Sequence, residues 1–386
     1  MALLRSTDRI LTTHVGSLPR PVELIDLYRQ KAGPEALGPV LASAVKDVVS
    51  QQVQAGIDIV NDGEYGKPTR DEVDFGPWMG YLYDRLDGFE LTPIEGEAET
   101  IGGRDRSRFP GYYASDEALR DEAAEFSIGT CVGAIAYTGN EIIARDIANL
   151  RAGISDTRVT GAFMPAITPD LFFPPGSYYP SARDEAIALG DALRVEYQAI
   201  VDAGFIVQID DPLLVNEFEM MFSDEWDLKG FRRWAEQHVE IVNHALAGLP
   251  QDQVRYHVCW GSWKGPHSSD LPLEEVVEQV LAINAGYLSI EGANAQHEHE
   301  WEVWSKVSLP AGKMLVPGVV THKTNIVEHP TLVAQRIIRY AEAVGRENVI
   351  ASTDCGMGGR IHPEIAWAKL QALSEGAEVA SQALWA

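Results

Sequence analysis

Short apolar runs ending in a polar residue or a turn alternate along the chain with longer stretches whose apolar positions recur every three or four residues. Eight of the runs read as strands: residues 11–14, 57–62 (IDIVND), 159–167, 205–210 (FIVQID), 254–259 (VRYHVC), 287–291 (YLSIE), 314–320 (MLVPGVV) and 348–353 (NVIAST). Helical patterns separate most of them. The clearest covers 330–344, where Val333, Ile337, Tyr340, Ala341 and Val344 share a face, Pro330 suits the first turn and Gly345 the stop. Strands alternating with helices favour a parallel sheet. Eight such units predict an α/β fold, a closed (βα)8 TIM barrel spanning residues 1–386 as a single domain, with a doubly wound open sheet as the alternative.

One stretch breaks the alternation. Residues 67–153 are too many for one strand–helix unit and carry Tyr81, Tyr83, Phe89, Tyr112 and Tyr113. A structureless loop of that length is unusual in a compact domain. The stretch therefore reads as an insertion after the second strand, with its own hairpin and helices. It would serve as a lid, as an oligomer arm, or only as packing.

Charge removes whole classes of partner. Lys plus Arg number 31 and Asp plus Glu 57, a net charge of −26. Such a surface repels phosphate backbones and anionic lipid heads, so neither nucleic acid nor membrane is expected as a partner. No apolar run approaches the ~18 residues that would span a bilayer, and the start, MALLRSTDRI, has no secretory core. A cytoplasmic protein is expected, with a homo-oligomer left open. Three cysteines, Cys131, Cys259 and Cys355, make no disulfide framework and point to metal binding, catalysis or packing. Cys131, in the apolar run CVGAIAY, suits packing.

In a barrel, the active site gathers at the C-terminal ends of the strands. Those ends carry His14, Gly16 and Ser17, then Asp62 and Glu64, Asp210 and Asp211, His257 and Cys259, Glu291, His322 and Lys323, and finally Asp354 and Cys355. His257 and Cys259 stand two apart, so on a strand they share a face. Imidazole and thiolate together suit Zn²⁺, and Cys355 and Glu291 would complete a tetrahedral set. From spacing alone, a core cysteine beside a hydrogen-bonded histidine fits equally well. His297 and His299, in QHEHE, raise a metallohydrolase as a rival, although two rings so spaced at a helix start diverge.

Seven motifs follow one another in order: THVGSLPRP (13–21), GIDIVNDGEYGK (56–67), FIVQIDDP (205–212), YHVCWG (256–261), LSIEGAN (288–294), PGVVTHKTNIVEHP (317–330) and STDCG (352–356). Spread over nearly the whole chain, they resemble the catalytic barrel of cobalamin-independent methionine synthases and of related single-barrel proteins, which include epoxyalkane:coenzyme M transferases. The segment SIEGANAQHEHEWEVW and the single-barrel length look more like the coenzyme M branch. The resemblance implies zinc held by His257, Cys259, Glu291 and Cys355, a thiol pocket lined by Gly16, Ser17, Glu64 and Asp210, and His322 as proton donor with Asp210 assisting. It implies transfer of a methyl or alkyl group to a thiol such as homocysteine. The alternative is addition of coenzyme M thiolate to an epoxide, and a non-catalytic zinc-binding barrel remains a third class.

Glu64 and Asp210 suit the ammonium of homocysteine. Coenzyme M, a sulfonate, would instead want a cation, for which Arg20, Lys67, Arg70, Lys264, Lys323 and the Arg104, Arg106, Arg108 group are the candidates. The pterin-stacking tryptophan of the longer enzymes has no counterpart, leaving Phe172, Phe173, Tyr178 or Tyr179 to substitute.

Overall fold

The computed structural model describes residues 3–68, 76–93, 103–115, 127–169, 176–223, 226–262 and 264–386; Arg70, Phe172 and Phe173 lie outside them. Eight strands are parallel: β1 (Leu11–Thr12), β2 (Ile59–Val60), β5 (Gly161–Ile167), β6 (Ile206–Asp211), β7 (Val254–Val258), β8 (Tyr287–Ile290), β9 (Met314–Val320) and β10 (Ile350–Thr353). Two more, β3 (Leu86–Pro93) and β4 (Ser127–Tyr137), form a separate antiparallel pair. The eight lie in the order β1-β10-β9-β8-β7-β6-β5-β2, so the first strand pairs with the last. The two ends of that order meet through Asp58. Its N–H donates to the Thr12 carbonyl at 3.1 Å, and its carboxylate accepts from the Thr12 N–H at 2.9 Å. Thr13 Oγ1 adds a bond to the Ile59 carbonyl at 2.9 Å. The fold is the (βα)8 barrel predicted from the alternation, not the open sheet.

Continuous apolar runs become these strands because helices cover the outside of a parallel barrel while neighbouring side chains fill its inside. All seven residues of β9 are buried. The helix over Pro330–Val344 has the bounds predicted; the His329 side chain accepts from the Thr331 N–H at its start, and Gly345, at φ 89°, ends it. The predicted strand at 57–62 shortens to Ile59–Val60 because Asn61 and Asp62 turn the chain, accepting from the N–H groups of Gly63 (2.8 Å) and Glu64 (3.0 Å). At the opposite end of the barrel, Leu11, Ile59, Phe163, Ile206, Tyr287, Met314 and Ile350, from the starts of the strands, pack together with Leu3 and Leu4. That plug leaves the C-terminal strand ends as the place for chemistry.

Between β2 and the helix Asn140–Ile154, the β3–β4 pair and the short helices Gly76–Tyr83, Gly103–Arg108 and Pro110–Tyr113 are fastened to the barrel. Tyr81, Leu82 and Leu86 join the main core. Buried Arg85 donates to Asp146 at 3.0 Å and to Glu196 at 2.9 Å. Asp105 accepts from the Ser268 N–H at 2.7 Å and from Ser269 Oγ at 2.8 Å, pinning its helix to the loop after β7. Among the described residues, no helix is long and apolar enough to cross a membrane.

Candidate metal centre

The pleat of β7 directs His257 to the barrel interior, and Cys259 follows at the strand end. Cys355 comes from the loop after β10. The ligand atoms of these three residues lie within 4.8 Å of one another, the one such group among the described residues. His257 and Cys259 are buried, Cys355 half-buried. The two Sγ atoms are 3.7 Å apart. Two thiolates at ~2.3 Å from a tetrahedral ion would stand ~3.8 Å apart, whereas a disulfide needs ~2.05 Å. His257 Nδ1 pairs with Ser289 Oγ at 3.1 Å, while Nε2 is buried with no hydrogen-bond partner. Such an orphaned nitrogen, oriented through its other ring atom, is what a metal-binding imidazole requires.

Electrostatics agree. The Cys355 thiol is held well below its ordinary value by the hydrogen bond from Cys259, against burial, with the neighbouring imidazole of His257 reinforcing the first. The Cys259 thiol is pushed well above its own by the shared bond and by burial. The hydrogen bond between the sulfurs thus favours one thiolate beside one thiol. Ser262 Oγ lies 3.0 Å from Cys355 Sγ, a partner that sequence reasoning missed because nothing in its spacing marks it.

Glu291, the fourth ligand implied by resemblance, stands outside the three. One carboxylate oxygen accepts from the Trp260 N–H at 2.9 Å and the other from Asn294 Nδ2 at 2.8 Å. Burial pushes its carboxyl up to about 7, against the pull of Lys323.

Of the four residues expected to line a thiol pocket, Gly16, Ser17 and Glu64 lie in the loops after β1 and β2, and Asp210 lies at the end of β6. Gly16, at φ 146°, sits so close to Glu64 that a Cβ there would come within 2.4 Å of Glu64 Oε1. The Ser17 carbonyl accepts from the N–H groups of Met357 (2.8 Å) and Gly358 (2.9 Å), joining this loop to the one that carries Cys355. Glu64 holds a left-handed backbone, φ 62°, unusual and costly for a non-glycine residue. Its Oε2 accepts from Lys67 Nζ at 2.9 Å. Asp210 is buried and accepts from Gln208 Nε2 at 2.6 Å; burial pushes it up to about 7, with His257 pulling down and Glu64 pushing further up.

His322 is buried with neither ring nitrogen hydrogen-bonded. Burial holds it well below the ordinary histidine range, and neighbouring Lys323, Arg360 and His267 reinforce this against Cys355. Enclosure and its cationic neighbours thus disfavour the imidazolium, so His322 is not poised at the ordinary histidine value.

His297 and His299 diverge: His297 is buried and His299 exposed. His297 lies between Asp270 (3.0 Å) and Glu300 (2.8 Å), which overcome burial and raise it to about 10. His267 joins the chain, 2.9 Å from Asp270 through Nδ1 and 2.7 Å from Lys323 Nζ through Nε2. Of the other cations, Arg20 donates to the Glu64 carbonyl at 2.8 Å, Arg104 faces the Trp226 ring, Arg106 the Tyr113 ring and Arg108 the Phe109 ring, and Lys264 is exposed. Tyr179 OH accepts from the Ile135 N–H at 3.0 Å, and Tyr178 is exposed beside it.

Residues 179–379, just over half of the chain, match the family model of the cobalamin-independent synthase catalytic domain. The chain belongs to that family. Across 98% of its length it is 25% identical to 2-hydroxypropyl-CoM lyase of Xanthobacter autotrophicus, covering 96% of that protein. It is 26% identical to a methionine synthase of Saccharolobus islandicus over 97% of its own length and 95% of the relative's. A B12-independent methionine synthase from Shewanella sp. W3-18-1 has the same fold, with a TM-score of 0.72 at 21% identity, over 97% of this chain and 99% of that one. Within the cobalamin-independent synthase family, this chain offers a His/Cys/Cys set able to hold a metal ion at the strand ends of its barrel.

Proposed function

We propose that this family member transfers a methyl or other alkyl group to the sulfur of a thiol, using zinc held by His257, Cys259 and Cys355, with Glu291 as an exchangeable fourth ligand. The supporting observation is the 3.7 Å separation of the two sulfurs beside an imidazole nitrogen with no other partner. Bound zinc would lower a thiol's pKa from near 8.5 and hold its sulfur ready for attack. Every other task falls to the chain. Gly16, Ser17, Glu64 and Asp210 form the wall against which the acceptor lies. His322, unencumbered at both nitrogens, offers a ring N–H to the departing folate nitrogen or the epoxide's oxygen, and Asp210, whose carboxyl burial pushes up to about 7, assists with a proton it can hold near neutral pH. The segment tied down through Asp105 serves as a lid over the strand ends of a single catalytic barrel spanning residues 1–386. Paired free thiols in the site belong to a reducing, cytoplasmic setting.

Two acceptors follow from the relatives. Homocysteine accepting a methyl group is the methionine synthase reaction; coenzyme M opening an epoxide is the alternative. A barrel metallohydrolase built on His297 and His299 finds no support, since the two rings face different surroundings. Calorimetric titration of the zinc-loaded protein with each thiol tests the proposal: a thiol entering as thiolate releases close to one proton near pH 7. No release with either thiol would refute it.

A further inference from the structure

The loop after β2 contains an ammonium of its own. Lys67 Nζ lies 2.9 Å from Glu64 Oε2, and both side chains are almost fully enclosed, at 7% and 11% exposure. The pair is locked from several sides. The Lys67 N–H donates to the Glu64 carbonyl at 3.1 Å, closing the turn that holds Glu64 in its left-handed conformation. The Glu64 N–H is held in turn by Asp62 Oδ1 at 3.0 Å. Lys67 Nζ also sits over the Tyr81 ring, 4.6 Å from its centroid, a desolvated cation–π contact. The other Glu64 oxygen is wedged against Gly16, where no side chain fits. The nearby cation Arg85 is already matched by Asp146 and Glu196, and Arg20 is turned to the Glu64 backbone carbonyl, so among the described residues Lys67 is the ion-pair partner of the Glu64 carboxylate.

This arrangement changes what the pocket selects. A carboxylate beside a thiol site attracts an amino group only while its charge is unmet. Here the charge is met from within, four residues of chain fixing the partner in place. An acceptor with an α-ammonium would bring a second cation next to Lys67 inside an enclosed cleft, where like charges repel far more than in water.

We propose that Lys67 sets acceptor specificity, filling the carboxylate position that would otherwise receive an amino group, so that the acceptor is a thiol without an α-ammonium. This rests on the thiol-transfer reading above and separates its two acceptor classes. It makes Glu64 part of an internal ion pair, not a hand for the substrate.

A matched pair of probes isolates the charge. Homocysteine and 4-mercaptobutanoate differ only by the amino group, so calorimetric titration of the zinc-loaded protein with each compares like with like. The wild type is expected to bind 4-mercaptobutanoate about tenfold or more tightly than homocysteine. Lys67→Met, which frees Glu64, is expected to abolish or reverse that preference. Lys67→Gln, which keeps a donor to Glu64 without the charge, replaces it if a methionine at that depth prevents folding. Equal or tighter binding of homocysteine by the wild type overturns the inference and leaves the thiol-transfer reading intact. An unchanged preference in both variants overturns the assignment to Lys67. Binding of neither probe overturns this inference, and the thiol-transfer reading falls with it if coenzyme M also fails to bind.

Discussion

Cys259 Sγ and Cys355 Sγ stand 3.7 Å apart, although 96 positions separate the two residues in the sequence. The backbone brings them there without a covalent link, from the ends of β7 and β10, and the spacing is that of two corners of one coordination tetrahedron. Cys355→Ala should therefore leave the fold in place and remove metal. Replacing even an outer partner of a metal ligand costs about 10–100-fold in affinity, so losing a ligand should cost at least that much. Competition with a chromogenic chelator measures it; wild-type affinity in the variant would remove Cys355 from the site.

Ser262 offers a milder perturbation of the same centre. Its hydroxyl lies 3.0 Å from Cys355 Sγ and 3.8 Å from Cys259 Sγ, so it can donate to whichever sulfur bears more charge. Ser262→Ala is expected to weaken metal binding by roughly tenfold while retaining stoichiometric uptake at saturation. The same chelator assay reads the difference.

His322 is expected to act in the chemical step and not in holding the thiol. His322→Gln should lower kcat by about 10²–10⁴ while leaving proton release on thiol binding unchanged. Single-turnover rates beside binding isotherms separate the two, and an unaltered kcat would take His322 out of the mechanism.

The eight strands and their order of chemistry are legible in the sequence because a parallel barrel demands continuous apolar runs and places polar residues where each run stops. The i, i+2 spacing of His257 and Cys259 likewise translates directly into one face of β7. What stays hidden are relationships that depend on several distant segments at once. Arg85, Asp146 and Glu196 meet from three separate stretches of chain, and no spacing announces them. His322 reads as an ordinary titrating histidine until its burial is known. Lys67 reads as a stray surface cation, although its i, i+3 relation to Glu64 was a signal; the left-handed turn at Glu64 is what converts that spacing into a contact.

Arg85 is expected to matter for stability before it matters for function. Its guanidinium is buried between two carboxylates, and removing one side of such a cluster leaves uncompensated charge in the interior. Arg85→Met should cost about 3–5 kcal/mol in denaturant unfolding. A loss below ~1 kcal/mol would show that water or rearrangement compensates.

Asp62 gives a pH signature of known sign. Burial raises it to about 6 from 3.8, with Asp146 adding to the effect, so the folded protein binds this proton more tightly than the unfolded chain. Its contribution to stability is complete below about 3.8 and is lost as pH rises through about 6. Asp62→Asn keeps an oxygen for the Glu64 N–H and never ionises. Relative to wild type it should gain stability between pH 4 and 7, about 1.4 kcal/mol per unit of the difference and on the order of 3 kcal/mol in all. Parallel stability curves for the two proteins across that range would contradict the assignment.

The seam between β1 and β2 gives the barrel a mechanical asymmetry. Five neighbouring strands, β5 to β9, are joined by continuous ladders, and they carry His257, Cys259 and the approach to Glu291. The ring closes on its far side without a strand ladder, through the peptide and carboxylate of Asp58, the hydroxyls of Thr12 and Thr13 and the bonds between the loops that follow. Thermal breathing concentrates at the weakest link of a ring, and amide exchange should be fastest there. The loops that leave this hinge are those bearing Gly16, Ser17, Glu64 and Lys67. Those four residues thus ride on the compliant side of the cylinder, while His257 and Cys259 are anchored to its stiff side.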